Sequence, residues 1–101
     1  MREESVFSAL SDPSRRQLLE SLAARDSASL TELASQLPVT RQAVSKHLAA
    51  LSDAGLVEAR RAGRETRYRL TPEPLVEALS WMERVGSEWD ARLARLREHL
   101  R

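Results

Sequence analysis

Between Leu37 and Arg41 the chain has room for a turn and nothing more. Ser29 and Glu32 stand at capping-box spacing and open a short helix whose apolar positions are Leu30, Leu33 and Leu37. Pro38 stops that helix, and Thr40, three residues after Leu37, suits the N-cap of another. Two helices joined so tightly must cross steeply, which is the geometry of a helix-turn-helix over about residues 30–54. In the second helix Val44, Leu48 and Leu51 recur at helical spacing and mark the buried row. Arg41, Gln42, Ser45 and Lys46 therefore point away from the core, and Gly55 is placed to end the helix in a left-handed conformation.

Upstream, Val6, Phe7 and Leu10 have helical spacing, and in "SDPSRRQLLESLAA" Asp12 can cap a second helix with Pro13 at its first position. Leu18, Leu19 and Leu22 give that helix its buried face, and "RDSA" reads as a loop. Downstream the period changes to alternation: "LVEARRAGRETRYRL", residues 56–70, reads as a β-hairpin turning near Ala62 and Gly63. Its outward positions and tip carry Arg60, Arg61, Arg64, Arg67 and Arg69.

Thr71 and Pro72 open a last helix over about residues 72–100, with Pro74 tolerated in its first turn. Leu75, Leu79, Met82, Gly86, Trp89, Leu93, Leu96 and Leu100 then alternate by four and three, a heptad seam. At about 1.5 Å per residue such a helix is roughly 40 Å long, more than the rest of a small domain needs as cover. A second copy of the chain is the simplest partner. Trp81 and Val85 widen the apolar surface, so the helix is expected to pack on its own first helix and on that partner. The residues expected at the dimer contact are Val6, Phe7, Leu10, Leu79, Met82, Trp89, Leu93 and Leu96.

The 101 residues match one small domain of mainly helical (α+β) class: five helices, the last of them long, and a two-stranded β-hairpin. With no cysteine, the sequence excludes disulfides, thiolate metal sites, thiol redox sensing and a cysteine nucleophile. No stretch approaches the roughly 18 apolar residues of a membrane span. The acidic start "MREESVF" also lacks a signal-peptide pattern, so a cytoplasmic location is expected. The net charge of +1 hides a division: residues 41–69 carry +4, against −2 before them and −1 after. Such segregation suits a domain that presents one face to a polyanion. Catalysis has little support, because Ser45 and His47 are two apart on one helix and point in different directions. There is also no phosphate-cradling glycine loop or set of zinc ligands.

The segments "ALSDPSRRQLLESL", "LTELASQLPVTRQAVSKHLAALSDAGLV" and "RRAGRETRYRL", in this order and spacing, resemble the ArsR/SmtB family of bacterial winged-helix repressors. The resemblance runs from about Ser5 to Leu100. It implies a homodimer on double-stranded DNA, with the helix at residues 41–54 as reader and the hairpin as wing. The side chains fit that task. Gln42 can pair with adenine, and Arg41 or Lys46 can reach guanine O6/N7. Ser45 can meet a base edge or a phosphate, Thr40 can cap and touch a phosphate, and His47 can donate to a phosphate. The wing arginines Arg60, Arg61, Arg64 and Arg67 suit the DNA backbone or a narrow minor groove. In a two-fold dimer the two reading helices enter successive major grooves, so an imperfect palindrome is expected.

Two departures from the family matter. Where its arsenic-sensing branch carries thiolates, this chain has Ser29, Thr31 and Ala34. Where the zinc-sensing branch needs spaced histidines on the last helix, only His99 is present. No metal and no cofactor are expected. A small-molecule effector is unassigned, and the Trp81, Val85, Trp89 region is where an apolar one would be sought. Arg15 and Arg16 are read as intrachain or phosphate-positioning groups. Two other readings stand beside this one: a dimeric winged-helix protein-interaction module without sequence-specific DNA binding, and a MarR-type regulator.

Overall fold

The computed structural model describes residues 2–99, with the side chains of Arg2 and Glu3 excepted. The chain runs α1 (Arg2–Leu10), α2 (Pro13–Ala23), β1 (Ala28–Ser29), α3 (Leu30–Ala34), α4 (Arg41–Asp53), β2 (Val57–Ala62), β3 (Glu65–Leu70) and α5 (Glu73–His99). This is a winged helix-turn-helix fold. Among the described residues no helix is long and apolar enough to cross a membrane.

Local chemistry sets the helix ends. The Asp12 carboxylate accepts from the backbone N–H of Ser14 at 2.8 Å and of Arg15 at 3.3 Å, with Pro13 at the first helical position. Ser29 Oγ accepts from Glu32 N–H at 3.1 Å, and Thr40 Oγ1 from Ala43 N–H at 3.1 Å. α4 ends in a Schellman motif: Gly55 sits at φ 76°, and the Leu56 N–H donates to the Leu51 carbonyl at 2.9 Å. Arg15 and Arg16 turn back to the end of α1, donating to the carbonyls of Ser8 and Leu10 at 3.4 and 2.5 Å. They tie the start of α2 to the C-terminal end of α1, where the Ser8 carbonyl also accepts from the N–H and hydroxyl of Ser11.

Three details differ from the sequence reading. The sheet has three strands in the order β1-β3-β2, because Ala28 pairs with Tyr68 and Ser29 with Arg67 ahead of α3. α3 ends at Ala34, three residues short of Leu37. There the Ser35 hydroxyl donates to the Glu32 carbonyl at 2.7 Å, competing with the helical ladder, while Leu37 still packs on the core from outside the helix. α5 begins at Glu73, with the Pro72 carbonyl accepting from Val76 N–H at 3.1 Å. Leu100 lies outside the described residues.

The core gathers Val6, Leu18, Leu22, Leu33, Val44, Leu48, Leu51 and Leu56, all essentially sealed from solvent. The sequence places Val6 at the dimer contact, but at 0 % exposure it is enclosed within its own protomer and has no surface to offer a partner. Phe7 and Leu10 are half-buried and pack against the core's edge, and the Phe7 ring lies 5.6 Å from that of Trp81, centroid to centroid. Beyond this contact α5 runs free. It stretches the molecule to 66 Å along one axis, against 24 and 23 Å along the others.

Candidate nucleic-acid interface

α4 is held by one row and presents another to the outside. Val44, Leu48 and Leu51 lock it into the core. On the far side Gln42, Ser45, Lys46 and Ala49 follow one another at i, i+3, i+4 and i+7, so they form a single exposed strip. Among the described residues no hydrogen bond or ion pair engages the side chains of Gln42, Ser45 or Lys46. The strip is thus rigidly positioned, yet chemically uncommitted.

The two flanks of the helix differ from it. Thr40 is occupied as the cap. Arg41 belongs to the same helical row as Val44 and Leu48, which turns it toward α3, where its Nη1 donates to Thr31 Oγ1 at 2.8 Å. His47 is half-buried and lies beside the cap of α2. Burial alone pushes the Asp12 carboxyl up, but the N–H groups of Arg15 and Ser14 and the charges of His47 and Arg15 outweigh it and hold the group below its ordinary value.

In the wing, Val57 pairs with Leu70, Ala59 with Tyr68 and Arg61 with Thr66, while Glu58, Arg60 and Ala62 face Arg69, Arg67 and Glu65. Directly opposed residues share a face, so Arg61 stands with Tyr68 on one side and Arg60 with Arg67 and Arg69 on the other. A two-residue loop of Gly63 and Arg64 joins the strands. Only Gly63 has positive φ, at 66°, which excludes a type I′ turn and meets the first-position demand of type II′. Arg64 is left exposed at the tip with no partner among the described residues, as is Arg69 farther down. Arg61 donates to the Gly63 carbonyl at 3.3 Å and Arg60 to Glu58 at 3.2 Å, both in the open, where such contacts are readily exchanged for others.

Arg67 departs from the sequence expectation. Its guanidinium donates to Ser27 Oγ at 2.9 Å, the Ser27 carbonyl at 3.2 Å, Glu32 at 3.1 Å and Glu65 at 2.8 Å. The Arg67 hydrogen bond, with help from Ser29, holds the Glu32 carboxyl below its usual range, and Glu65 with Glu32 raises the pKa of Arg67 further. The side chain staples the wing's base to the segment before α3, so its donors are taken up inside the protomer. Alternation places it outward, but at the base of the hairpin the outward side meets Ser27 and Glu32 rather than solvent.

On α5, Leu79, Met82, Trp89, Leu93 and Leu96 are exposed, Trp89 by 57 %, with Val76, Trp81 and Val85 beside them. Arg92 lies 5.5 Å over the Trp89 ring. A contiguous apolar row of this length is an interaction surface rather than incidental exposure. Among the described residues no three His, Asp or Glu side chains cluster as metal ligands would.

The packed pair α3 and α4, an uncommitted polar strip and an arginine-tipped hairpin define a winged helix-turn-helix protein. Residues 10–60 match the family model described as a helix-turn-helix domain. Over 88 residues the chain is 39 % identical to the HTH-type transcriptional regulator YuzN of Bacillus subtilis, covering 80 % of this chain and 96 % of that one. The solved structure of an ArsR-like transcriptional regulator from Rhodococcus superposes with a TM-score of 0.86 at 45 % identity, covering 96 % of this chain and 91 % of that one. A homodimeric winged helix-turn-helix DNA-binding domain from Mycobacterium bovis, solved in solution, gives 0.69 at 30 % identity over 86 % and 80 %. The chain belongs to the ArsR family of winged-helix transcriptional regulators.

Proposed function

We propose that two copies of this chain, paired through α5 with Phe7 and Leu10 alongside, bind a palindromic operator in cytoplasmic DNA and repress by occluding the promoter. The observation that carries this reading is the strip of Gln42, Ser45 and Lys46, exposed and unpartnered on a helix immobilised from behind. A helix fits the major groove, and an amide, a hydroxyl and an ammonium on one strip match the donors and acceptors of base edges. Arg60, Arg61 and Arg64 of the wing supply backbone or minor-groove contacts. Thr40 and His47 flank the strip where phosphates pass.

Selection from a randomised duplex library at moderate salt tests this. The expected outcome is a two-fold motif with half-sites about 34–36 Å apart, one helical turn, whose binding weakens steeply with added salt. Recovery of no motif, with binding indifferent to salt, would overturn it.

A further inference from the structure

Arg41 stands first among the residues that sequence alone marks as base readers, yet its surroundings point to another task. Its place in the row of Val44 and Leu48 carries the guanidinium to α3 and to the mouth of a groove of about 390 Å³ between α3 and the wing. Thr31 and Arg41 line one side; Arg64, Glu65, Thr66 and Tyr68 line the other.

The chemistry of that groove is one-sided. Arg41 donates one N–H to Thr31 Oγ1 and has four left. Having accepted that bond, the Thr31 hydroxyl is free to donate its own proton. Across the groove, Arg64 has no partner among the described residues and Thr66 adds another hydroxyl. The single carboxylate, Glu65, is already engaged by Arg67 at 2.8 Å. A base edge presents both donors and acceptors, whereas this groove offers donors supported by two positive charges. That is the demand of a phosphodiester.

We propose that Thr31, Arg41, Arg64 and Thr66 form a seat for one phosphate of the DNA backbone, bridging α3 and the wing tip, with Arg41 positioning the duplex rather than reading it. Thr31 fixes the Arg41 fork before DNA arrives, which lowers the ordering cost of the contact. The first helix of a helix-turn-helix crosses the backbone while the second enters the groove, so a phosphate passing Thr31 is consistent with Gln42, Ser45 and Lys46 meeting bases. The seat rests on the DNA-reading function above.

The test uses the full chain, its selected operator and a scrambled duplex over a range of salt. Arg41→Ala should weaken both duplexes alike, by about tenfold, and lower the log-log salt slope by about one. Thr31→Val should weaken both by a smaller, equal factor, and the double variant should lose less than the two single losses combined, since part of the threonine's effect passes through the arginine it positions. Operators carrying one neutral methylphosphonate at a time should reveal a single backbone position, per half-site, where Arg41→Ala costs nothing further. If Arg41→Ala instead relaxes preference at one base pair and leaves the slope intact, Arg41 is a base reader and the seat is wrong while DNA reading stands. If the unaltered protein binds neither duplex at low salt, DNA reading fails and the seat falls with it.

Discussion

α4 and the distal half of α5 carry apolar rows at similar helical spacing, yet α4 buries its row completely and α5 buries almost none. Leu48 is 1 % exposed; Leu93 is 43 % exposed. The difference lies in the neighbours each helix is given. Around α4 the connection of residues 35–40 from α3, the Schellman stop at Gly55 and the hairpin that follows bring α2, α3 and β2 onto one face. α5 meets α1 over its first turns and then outruns everything its own chain can supply. Spacing marks which face of a helix is apolar, and the length and direction of the helix decide whether the cover comes from within. By this logic α4 is a helix whose partners are internal, which leaves its other face free for DNA, and α5 awaits a second protomer.

The sharpest way to break the comparison is to place charge in each row. Trp89→Asp or Leu93→Asp buries an unpaired carboxylate in the proposed dimer contact. Sedimentation should show a folded monomer, and operator affinity should fall about 10²- to 10⁴-fold as bivalency is lost. A persistent dimer would move the interface elsewhere. Leu48→Ala tests the opposite row: it should cost about 2–5 kcal/mol of stability, measured by chemical denaturation of the protein. A loss far smaller than this would mean that α4 is not anchored as the packing indicates.

Smaller effects separate the two outward surfaces. Gln42→Ala should relax preference at one base position by about 1–3 kcal/mol, whereas Arg64→Ala should weaken all duplexes and flatten the salt slope. Arg67→Ala should act differently from Arg64→Ala, loosening the wing's base and lowering thermal stability in the absence of DNA, because its contacts are internal. The smallest effect concerns pH. Asp12 and Glu32 both titrate below their unfolded values, so their stabilisation is present above the ordinary carboxylate range of about 4 and is lost as pH falls through their lowered pKa values. Asp12→Asn should flatten that part of a melting-temperature profile between about pH 5 and 2. An unchanged profile would remove Asp12 from the account.

Much of this architecture is legible in the sequence where the cause is local. Asp12, Thr40 and Gly55 act through atoms within a few residues, so their roles follow from residue type and position. The strip on α4 is legible for a related reason: once Val44, Leu48 and Leu51 are assigned inward, Gln42, Ser45 and Lys46 have one direction left. What escapes is set by contacts across the chain. β1 is a pair of residues stabilised by β3, far along the chain, with Ala28 opposite Tyr68 and Ser29 opposite Arg67, and no periodicity marks it. Val6 and Phe7 both belong to an apolar helical face, and only the arrival of the other helices seals the first and leaves the second at the rim. Arg41 and Arg67 look like free surface cations until α3 and the preceding loop are placed beside them. The partner that Arg41 finds, Thr31, carries no sequence signal of its own, since its role depends on the angle between two helices.

The most direct test of a two-fold DNA reader is to insert five base pairs between the half-sites of the selected operator and measure affinity. Half a helical turn puts the second half-site on the opposite face of the duplex, beyond the reach of a dimer fixed by α5. Affinity should then fall to that of a lone half-site. Unchanged affinity would mean that the two reading helices are not held at a fixed spacing, and that α5 does not set the distance between the α4 helices of a dimer.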